Sequence, residues 1–309
     1  MISAIVTIPP YAPFINEVVN HPSVSGLRLN TVMPVKETLE DVLKRLKDEA
    51  FARGKDIWID LKCRQLRVVG YAVTPFTELK ISHRIELNVP ADAYFSDGKE
   101  KATVVGVDGD RLLMLEGPRR ILGPGEAINI PDASLKIEGY LTDTDKRYID
   151  AGMKTGLHDY MLSFVEQQKD IETLLQLDNE ASIVAKIESR KGLSYMKNEW
   201  TTCTYKPRLM AARGDLYAEV KMPHQIIEAV ETIVKIDSHA IVASRLFGSF
   251  SESLEPSCAD IGDADNLLRM GYKTFMLGDD ICMRRDSLMS ALNLFQALAQ
   301  RYEVNTTKS

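Results

Sequence analysis

An eight-stranded α/β barrel, with a small all-β domain inserted after its third strand, is the fold that these 309 residues predict. Two observations lead there. Short apolar runs that end in charge alternate with amphipathic helical stretches, and eight such strand–helix units can be counted. Between the third and fourth units, from about Val69 to Tyr140, the helical spacing stops and only short β-type runs and turn signals remain. Setting aside those ~70 residues leaves ~240, close to the ~250 usual for a (β/α)8 barrel.

The elements follow in order. The first strand is expected over 2–8, stopping at Pro9-Pro10, and Phe14, Ile15, Val18 and Val19 give 11–21 helical spacing. A second strand over 24–30 ends in Arg28 and Asn30. Leu39, Val42, Leu43, Leu46 and Ala50 stripe a helix over 36–53, with Gly54 as its C-terminal stop. The third strand, 56–62, ends in Asp60 and Lys62. The insertion is punctuated by Ser96-Asp97-Gly98, Asp108-Gly109-Asp110 and Gly123-Pro124-Gly125. After Leu141, strands are expected at 160–165, 182–188, 209–215, 240–245 and 273–277. Helices are expected at 144–152, 166–177, 191–199, 222–236, 258–270 and 286–302. The barrel therefore takes 1–68 and 141–303, the lid-like insertion 69–140, and a polar tail 304–309 expected to fray.

Composition narrows the function classes. Acidic residues exceed basic by 44 to 38, a net charge of -6, which argues against nucleic acid as a partner. It leaves room for an anionic substrate, since a site needs only local positive charge. No run approaches the ~18 apolar residues of a membrane span. The N-terminal MISAIVTIPPYAP lacks a basic region followed by a long apolar stretch, so it reads as a strand and not a signal peptide. Cys63, Cys203, Cys258 and Cys282 are far apart, as expected of reduced thiols in a cytoplasmic protein. The five histidines show no metal-ligand spacing.

Two strand ends concentrate chemistry. Side chains alternate along a strand, so Lys186 and Glu188 are expected on one face, as are Arg213 and Asp215. Both pairs fall at C-terminal strand ends, where barrel enzymes work. Glu188 and Asp215 could bind a hard divalent cation, since Mg2+ takes one or two protein carboxylates and leaves the rest to substrate and water. Plain ion pairing along the rim accounts for the same residues, and spacing leaves both readings open.

The residues go further than spacing. Val184-Ala185-Lys186-Ile187-Glu188 and Met210-Ala211-Ala212-Arg213-Gly214-Asp215-Leu216 resemble two strand ends of the pyruvate kinase family. Thr7-Ile8-Pro9-Pro10, Arg28-Leu29-Asn30, Asp60-Leu61-Lys62 with Arg67, Ser163-Phe164, Ala243-Ser244 and Pro256 to Asp263 resemble further pieces, in order. The resemblance implies a barrel with a mobile β lid that acts on phosphoenolpyruvate and ADP with Mg2+ or Mn2+. It implies Glu188 and Asp215 as metal ligands, and Lys186, Arg28 and Ser244 as catalytic groups. It implies the backbone of Ala212, Arg213 and Gly214, with Ser244, as the substrate cradle. Arg67, Lys146 (in Thr142-Asp143-Thr144-Asp145-Lys146) and Pro10 would meet a nucleotide.

Departures from the family pattern cluster on one side. Of its potassium ligands, Asn30 and Asp60 remain, while Val32 and Leu61 take the other places, so a K+ site is expected to be degraded. Met33 replaces a histidine, Cys63-Arg64-Gln65 replaces Gly-Pro-Glu, Arg245 replaces a glutamine, and the last strand ends Leu277-Gly278-Asp279-Asp280. The sequence ends after the eighth helix, with no counterpart of the family's C-terminal regulatory domain, so control by a sugar phosphate through that domain is not expected and a homo-oligomer is possible without a tetramer being implied. Two enzyme readings follow. One is a compact pyruvate kinase. The other is a repurposed barrel that keeps the metal and an enolpyruvate or 2-oxo acid, with Arg64 and Arg245 reading a different anionic partner. A non-catalytic relic of the same site is the third expectation weighed.

Overall fold

The structure, a computed structural model, describes residues 2–75, 78–200, 205 and 207–306, with backbone alone at 97 and 304–306. Cys203 and residues 307–309 lie outside the described residues.

Eight parallel strands close a barrel: β1 (Ser3–Thr7), β2 (Val24–Asn30) and β3 (Asp56–Leu61), then, after the insertion, β10 (Asp159–Leu162), β11 (Ser182–Ile187), β12 (Arg208–Ala212), β13 (Ile241–Ala243) and β14 (Thr274–Leu277). The strands neighbour one another in sequence order, and β1 pairs with both β2 and β14 to complete the ring. Alternation divides every strand but β2 between two cores. Ile5, Trp58, Met161, Val184, Met210, Ile241 and Met276 fill the interior of the barrel. Their neighbours Ala4, Val6, Ile57, Ile183, Leu209 and Phe275 belong to the larger core that also contains buried residues of the surrounding helices. Among those helices, Leu39–Phe51 starts at Thr38, whose hydroxyl accepts from Asp41 N, and buries Val42, Leu43, Leu46 and Ala50.

Between β3 and β10 lie six further strands. β4 (Glu78–Lys80), β6 (Ala91–Phe95), β7 (Glu100–Asp108) and β8 (Arg111–Glu116) form an antiparallel sheet in the order β4-β8-β7-β6, and β5 (Ile85–Glu86) pairs with β9 (Lys136–Ile137). Gly109, at φ +61, turns β7 into β8 as the Asp-Gly signal anticipates. This lid has its own core, including Leu79, Phe95, Val104, Leu112 and Ile128.

Three differences from the sequence reading matter for the rim. The sixth barrel strand stops at Ala212, and Arg213 opens a helix, Arg213–Glu219, which places Asp215 in its first turn where a carboxylate suits the helix dipole. Strand alternation therefore does not govern Arg213 and Asp215. The seventh strand ends at Ala243, because Ser244 and Arg245 adopt left-handed backbone at φ +66 and +55. The last helix, Arg285–Thr306, runs three residues into the expected tail.

Candidate active site

The C-terminal ends of the barrel strands surround a cleft of about 330 Å3, roofed on one side by Arg67 and Ala127 at the root of the lid. Arg28, Lys62, Arg67, Lys186, Glu188, Asp215, Ser244 and Asp279 all line it. Lys186 comes from β11 and is almost fully buried. Its Nζ lies 2.8 Å from Ser163 Oγ, 3.2 Å from Asp60 Oδ1 and 3.2 Å from Glu188 Oε1. Burial alone would push this ammonium toward neutrality, but Asp60 and Glu188 outweigh it and raise its pKa, so Lys186 is held charged.

Glu188 follows immediately after β11. The turn after β10 is aimed at it: Phe164, left-handed at φ +50, donates its backbone N–H to Glu188 Oε2 at 2.8 Å. Burial raises the Glu188 carboxyl, Lys186 pulls it down, and Asp215 pushes it up again. Asp215 is held by two amides, one from each flank of the lid: Gln65 Nε2 donates to Oδ2 and Asn129 Nδ2 to Oδ1, both at 2.9 Å. Glu188 and Asp215 are thus two carboxylates close enough to repel, a stress that a divalent cation relieves. Oxygen donors of this number fit the protein's usual share of Mg2+ coordination. Among the described residues no cluster of three or more His, Cys, Asp or Glu side chains has metal-ligand geometry, so further positions would fall to substrate and water.

The other side of the cleft is organised around Asp60, which is fully buried at the end of β3. Arg28 reaches it through Nε at 2.8 Å and through Nη2, Lys62 Nζ lies at 3.0 Å, and Lys186 completes the group. Burial would raise the Asp60 carboxyl, but Arg28, Lys186 and Lys62 hold it well below the usual carboxylate range. Lys62 yields instead: burial drives it down to about 7, with Asp60 pulling it up and Arg28 and Lys186 pushing it down. Arg28 Nη1 donates to Thr7 Oγ1 at 2.8 Å and faces Asp279, 3.4 Å away. Asp279 in turn accepts from Asn30 Nδ2 at 2.8 Å. Arg67 is fixed by Gly125 O and Gln65 Oε1, and its buried Nε has no hydrogen-bond partner among the described residues. That orphan donor suits an incoming anion.

Several expected site residues stand elsewhere. Arg213 points away from the cleft: its guanidinium pairs with Asp263 at 2.7 and 2.8 Å and donates to the carbonyls of Ser244 and Arg245 at 3.0–3.1 Å. Ala212 and Gly214 do line the cleft. Arg213 is therefore placed to hold the left-handed turn that carries Ser244, while its neighbours face the ligand space. Arg64 does not line this cleft: Asp170 binds it through two hydrogen bonds of 2.6 and 2.7 Å and its guanidinium stacks on Tyr140. Arg245 does line the cleft, stacked 4.1 Å over the ring of Tyr217. The structure does not bring Lys146 or Pro10 into the cleft. Lys146 Nζ is exposed 3.5 Å from Asp143, and Pro10 O accepts from Arg45 Nη1. The adjacent Asp145 is buried, caps its own helix, and accepts from the backbone N–H groups of Lys62 and Cys63, fixing the end of β3.

Sequence reasoning passed over Gln65, Asn129 and Asp279 as site residues. Gln65 and Asp279 occupy positions that depart from the family pattern, and that was the available signal; Asn129 had none at the level of spacing. A larger cavity, about 850 Å3, lies between the lid segment around Pro131 and the helix Arg190–Asn198. It contains none of Lys186, Glu188 or Asp215, so convergence of charge and not size selects the smaller cleft.

Comparison with known proteins agrees with this fold. The family model for the pyruvate kinase barrel domain matches residues 54–282. A pyruvate kinase of Borreliella burgdorferi is 25% identical over 215 residues, covering 67% of this chain and 44% of the relative. One from Thermoplasma acidophilum is 25% identical over 281 residues (83% and 50%), and one from Thermotoga maritima 24% over 313 residues (91% and 66%). The chain thus spans roughly half to two thirds of the length of these curated relatives. The matched region holds six of the eight barrel strands, the lid, and all the carboxylates and cations of the cleft apart from Arg28, and with it the chain belongs to the pyruvate kinase family.

Proposed function

We propose that this protein is a pyruvate kinase-like phosphotransferase that acts on phosphoenolpyruvate and ADP to give pyruvate and ATP. The observation that carries the reading is the convergence of Lys186, Glu188, Asp215, Ser244 and the backbone at Ala212 and Gly214 on one cleft. Glu188 and Asp215 would hold Mg2+ or Mn2+, which when bound supplies a Lewis acid for the substrate's oxygens. The backbone at 212–214 cradles the substrate carboxylate. Lys186, held charged and rigid by its three partners, stabilises the phosphoryl group as its bond to the enol oxygen breaks and a bond to the ADP terminal phosphate oxygen forms. Arg28 and the unpartnered Nε of Arg67 offset phosphate charge. The hydroxyl of Ser244 serves the proton path by which the enolate gains a proton at its terminal carbon and becomes pyruvate. The lid, tied to Asp215 through Gln65 and Asn129, shields the reaction from water.

The test is pyruvate formation from phosphoenolpyruvate with Mg2+, with and without ADP. ADP-dependent pyruvate is the expected result. A second reading, a repurposed barrel performing metal-assisted enolisation of a 2-oxo acid or transfer to another acceptor, is favoured by the placement of Lys146 and Pro10 outside the cleft and of Arg245 within it. No ADP-dependent pyruvate, together with Mg2+-dependent exchange of pyruvate methyl protons, selects that second reading. Absence of both reactions and of Mg2+ binding by calorimetry rejects both. A cytoplasmic location, with no nucleic-acid or membrane partner, belongs to the same reading and rests on the net charge of -6.

A further inference from the structure

Arg28 enters the cleft with its hydrogen-bonding capacity largely committed. Nε and Nη2 are turned onto Asp60, which is fully buried and also held by Lys62 and Lys186. That side of the guanidinium is closed to a ligand. Nη1 rests on Thr7 Oγ1, and its remaining approach is covered by Asp279, whose two carboxylate oxygens stand 3.4 and 3.5 Å away. Asp279 differs from Asp60 in exposure: its side chain is 41% accessible against 0%. It is anchored by Asn30 Nδ2, which donates to its Oδ2 at 2.8 Å. A substrate phosphate seeking Arg28 would therefore meet a carboxylate already seated on the cation, and would have to displace it or bind beside it against like-charge repulsion. Lys186, with Ser163, Asp60 and Glu188 within 3.2 Å of its Nζ, does not lift that repulsion. A 2-oxo acid without a phosphoryl group avoids the conflict. Its carboxylate and oxo oxygen call on the opposite side of the cleft, at Glu188, Asp215 and the 212–214 backbone.

We propose that Asp279 is a specificity-determining residue that acts as a built-in anion on Arg28, shifting this cleft's preference from phosphorylated enolpyruvate toward non-phosphorylated 2-oxo acids. The inference rests on the enolpyruvate reading of the cleft and names the ligand end that reading leaves open.

The test is the ratio of phosphoenolpyruvate to pyruvate affinity, measured by calorimetry with Mg2+ on the whole chain. The wild type is expected to bind phosphoenolpyruvate no more than about tenfold more tightly than pyruvate. Asp279→Asn keeps the shape and removes the charge, and is expected to raise the ratio by about tenfold, the equivalent of ~1.4 kcal/mol. Asp279→Glu restores the charge and is expected to leave the ratio near the wild-type value, an outcome that loss of packing alone would not produce. If both ligands bind the wild type and Asp279→Asn leaves the ratio unchanged, the inference is overturned and the reading of the cleft survives. A wild-type ratio far above tenfold also overturns it. If neither ligand binds with Mg2+, the proposed function falls and the inference with it.

Discussion

At the ends of β11 and β12 the rim presents carboxylates, Glu188 and Asp215, that are held by amides, a backbone N–H and one ammonium. At the ends of β2, β3 and β14 it presents a closed ionic network, in which Arg28, Lys62 and Lys186 converge on Asp60 while Asp279 covers the outer face of Arg28. Both regions are built from strand-end charges, yet only the first retains an electrostatic deficit. Glu188 has its pKa raised by burial, with Lys186 pulling it down and the nearby Asp215 adding to the rise, whereas the three cations hold Asp60 well below the carboxylate range despite burial. A pair of carboxylates, one of them buried, invites a cation, and a buried carboxylate with three cations has no need of one. Lys186 belongs to both regions and joins them.

Removing the shared residue should therefore have the largest effect. Lys186→Met takes the stabilising charge from the transferring phosphoryl group and is expected to lower turnover by about 10³-fold. It also leaves Asp60 and Glu188 each short of a partner, so a stability loss of about 3 kcal/mol is expected on thermal or urea unfolding, with the barrel's circular dichroism retained. Full turnover in this variant would break the assignment of Lys186.

The next effect tests whether geometry on the carboxylate side depends on a side chain turned away from the ligand. Arg213 holds the carbonyls of the Ser244–Arg245 turn and is itself held by Asp263. Three non-glycine residues nearby, Ser244, Arg245 and Phe247, have positive φ, a backbone that relaxes unless its surroundings fix it. Arg213→Ala is expected to reduce turnover by about 10²-fold, the cost of a ~1 Å misplacement of a catalytic group. Mg2+ affinity should hold, since Glu188 and Asp215 keep their partners. A parallel loss of Mg2+ binding would show that the turn and the carboxylates form one unit.

Glu219 sharpens the comparison at the back of the same helix. It is buried at the seam with the lid, and its carboxyl is pushed up to about 7, chiefly by burial, with the Arg190 side chain and backbone N–H pulling it down and Glu166 and Asp215 pushing it up. Arg190 also donates to Pro131 O in the lid. The folded protein therefore holds a proton on Glu219 that the unfolded chain has released. The resulting stability is present below the ordinary glutamate pKa of 4.5 and is lost as pH rises toward about 7. Glu219→Gln should remove this part of the pH dependence and stabilise the protein by on the order of 1–2 kcal/mol at pH 8, with little change at pH 4. Equal urea midpoints for the two proteins at pH 8 would contradict it.

These contrasts explain what could be read in advance. Lys186 and Glu188 were legible because β11 is a regular strand and alternation sets their face. Arg213 and Asp215 were not, since the chain leaves extended backbone at Ala212 and helical geometry takes over. Ser244 was found by its neighbours, but its left-handed turn depends on Arg213, 31 residues before it, and on Asp263, 50 residues after Arg213. The eight barrel strands were placed to within a few residues because buried apolar runs bounded by charge leave few alternatives. The pairing of Arg28 with Asp279 joins positions 251 residues apart, beyond any local pattern. Arg64 read as a spare cation for the same reason, its partner Asp170 lying 106 residues away.

The smallest expected effect is the response to potassium, and it bears on the side of the rim where Asp60 is surrounded by cations. A monovalent cation site needs oxygen donors with negative charge to spare. Asp60 has none, because its two oxygens already meet Arg28, Lys62 and Lys186. Asn30 directs its amide at Asp279 and its oxygen at Val32 N, 3.3 Å away, while Leu61 is fully buried and Val32 offers only hydrocarbon. Replacing Na+ by K+ at constant ionic strength is accordingly expected to change turnover by less than about twofold, below the ~1.4 kcal/mol that a tenfold effect represents. The control is Lys62→Ala, which removes one of the three ammonium and guanidinium groups on Asp60. If vacated charge is what potassium requires, this variant should respond to K+ more strongly than the wild type. A large K+ activation of the wild type would mean that the Asp60 network opens during turnover and that the two sides of the rim are less different than their resting contacts.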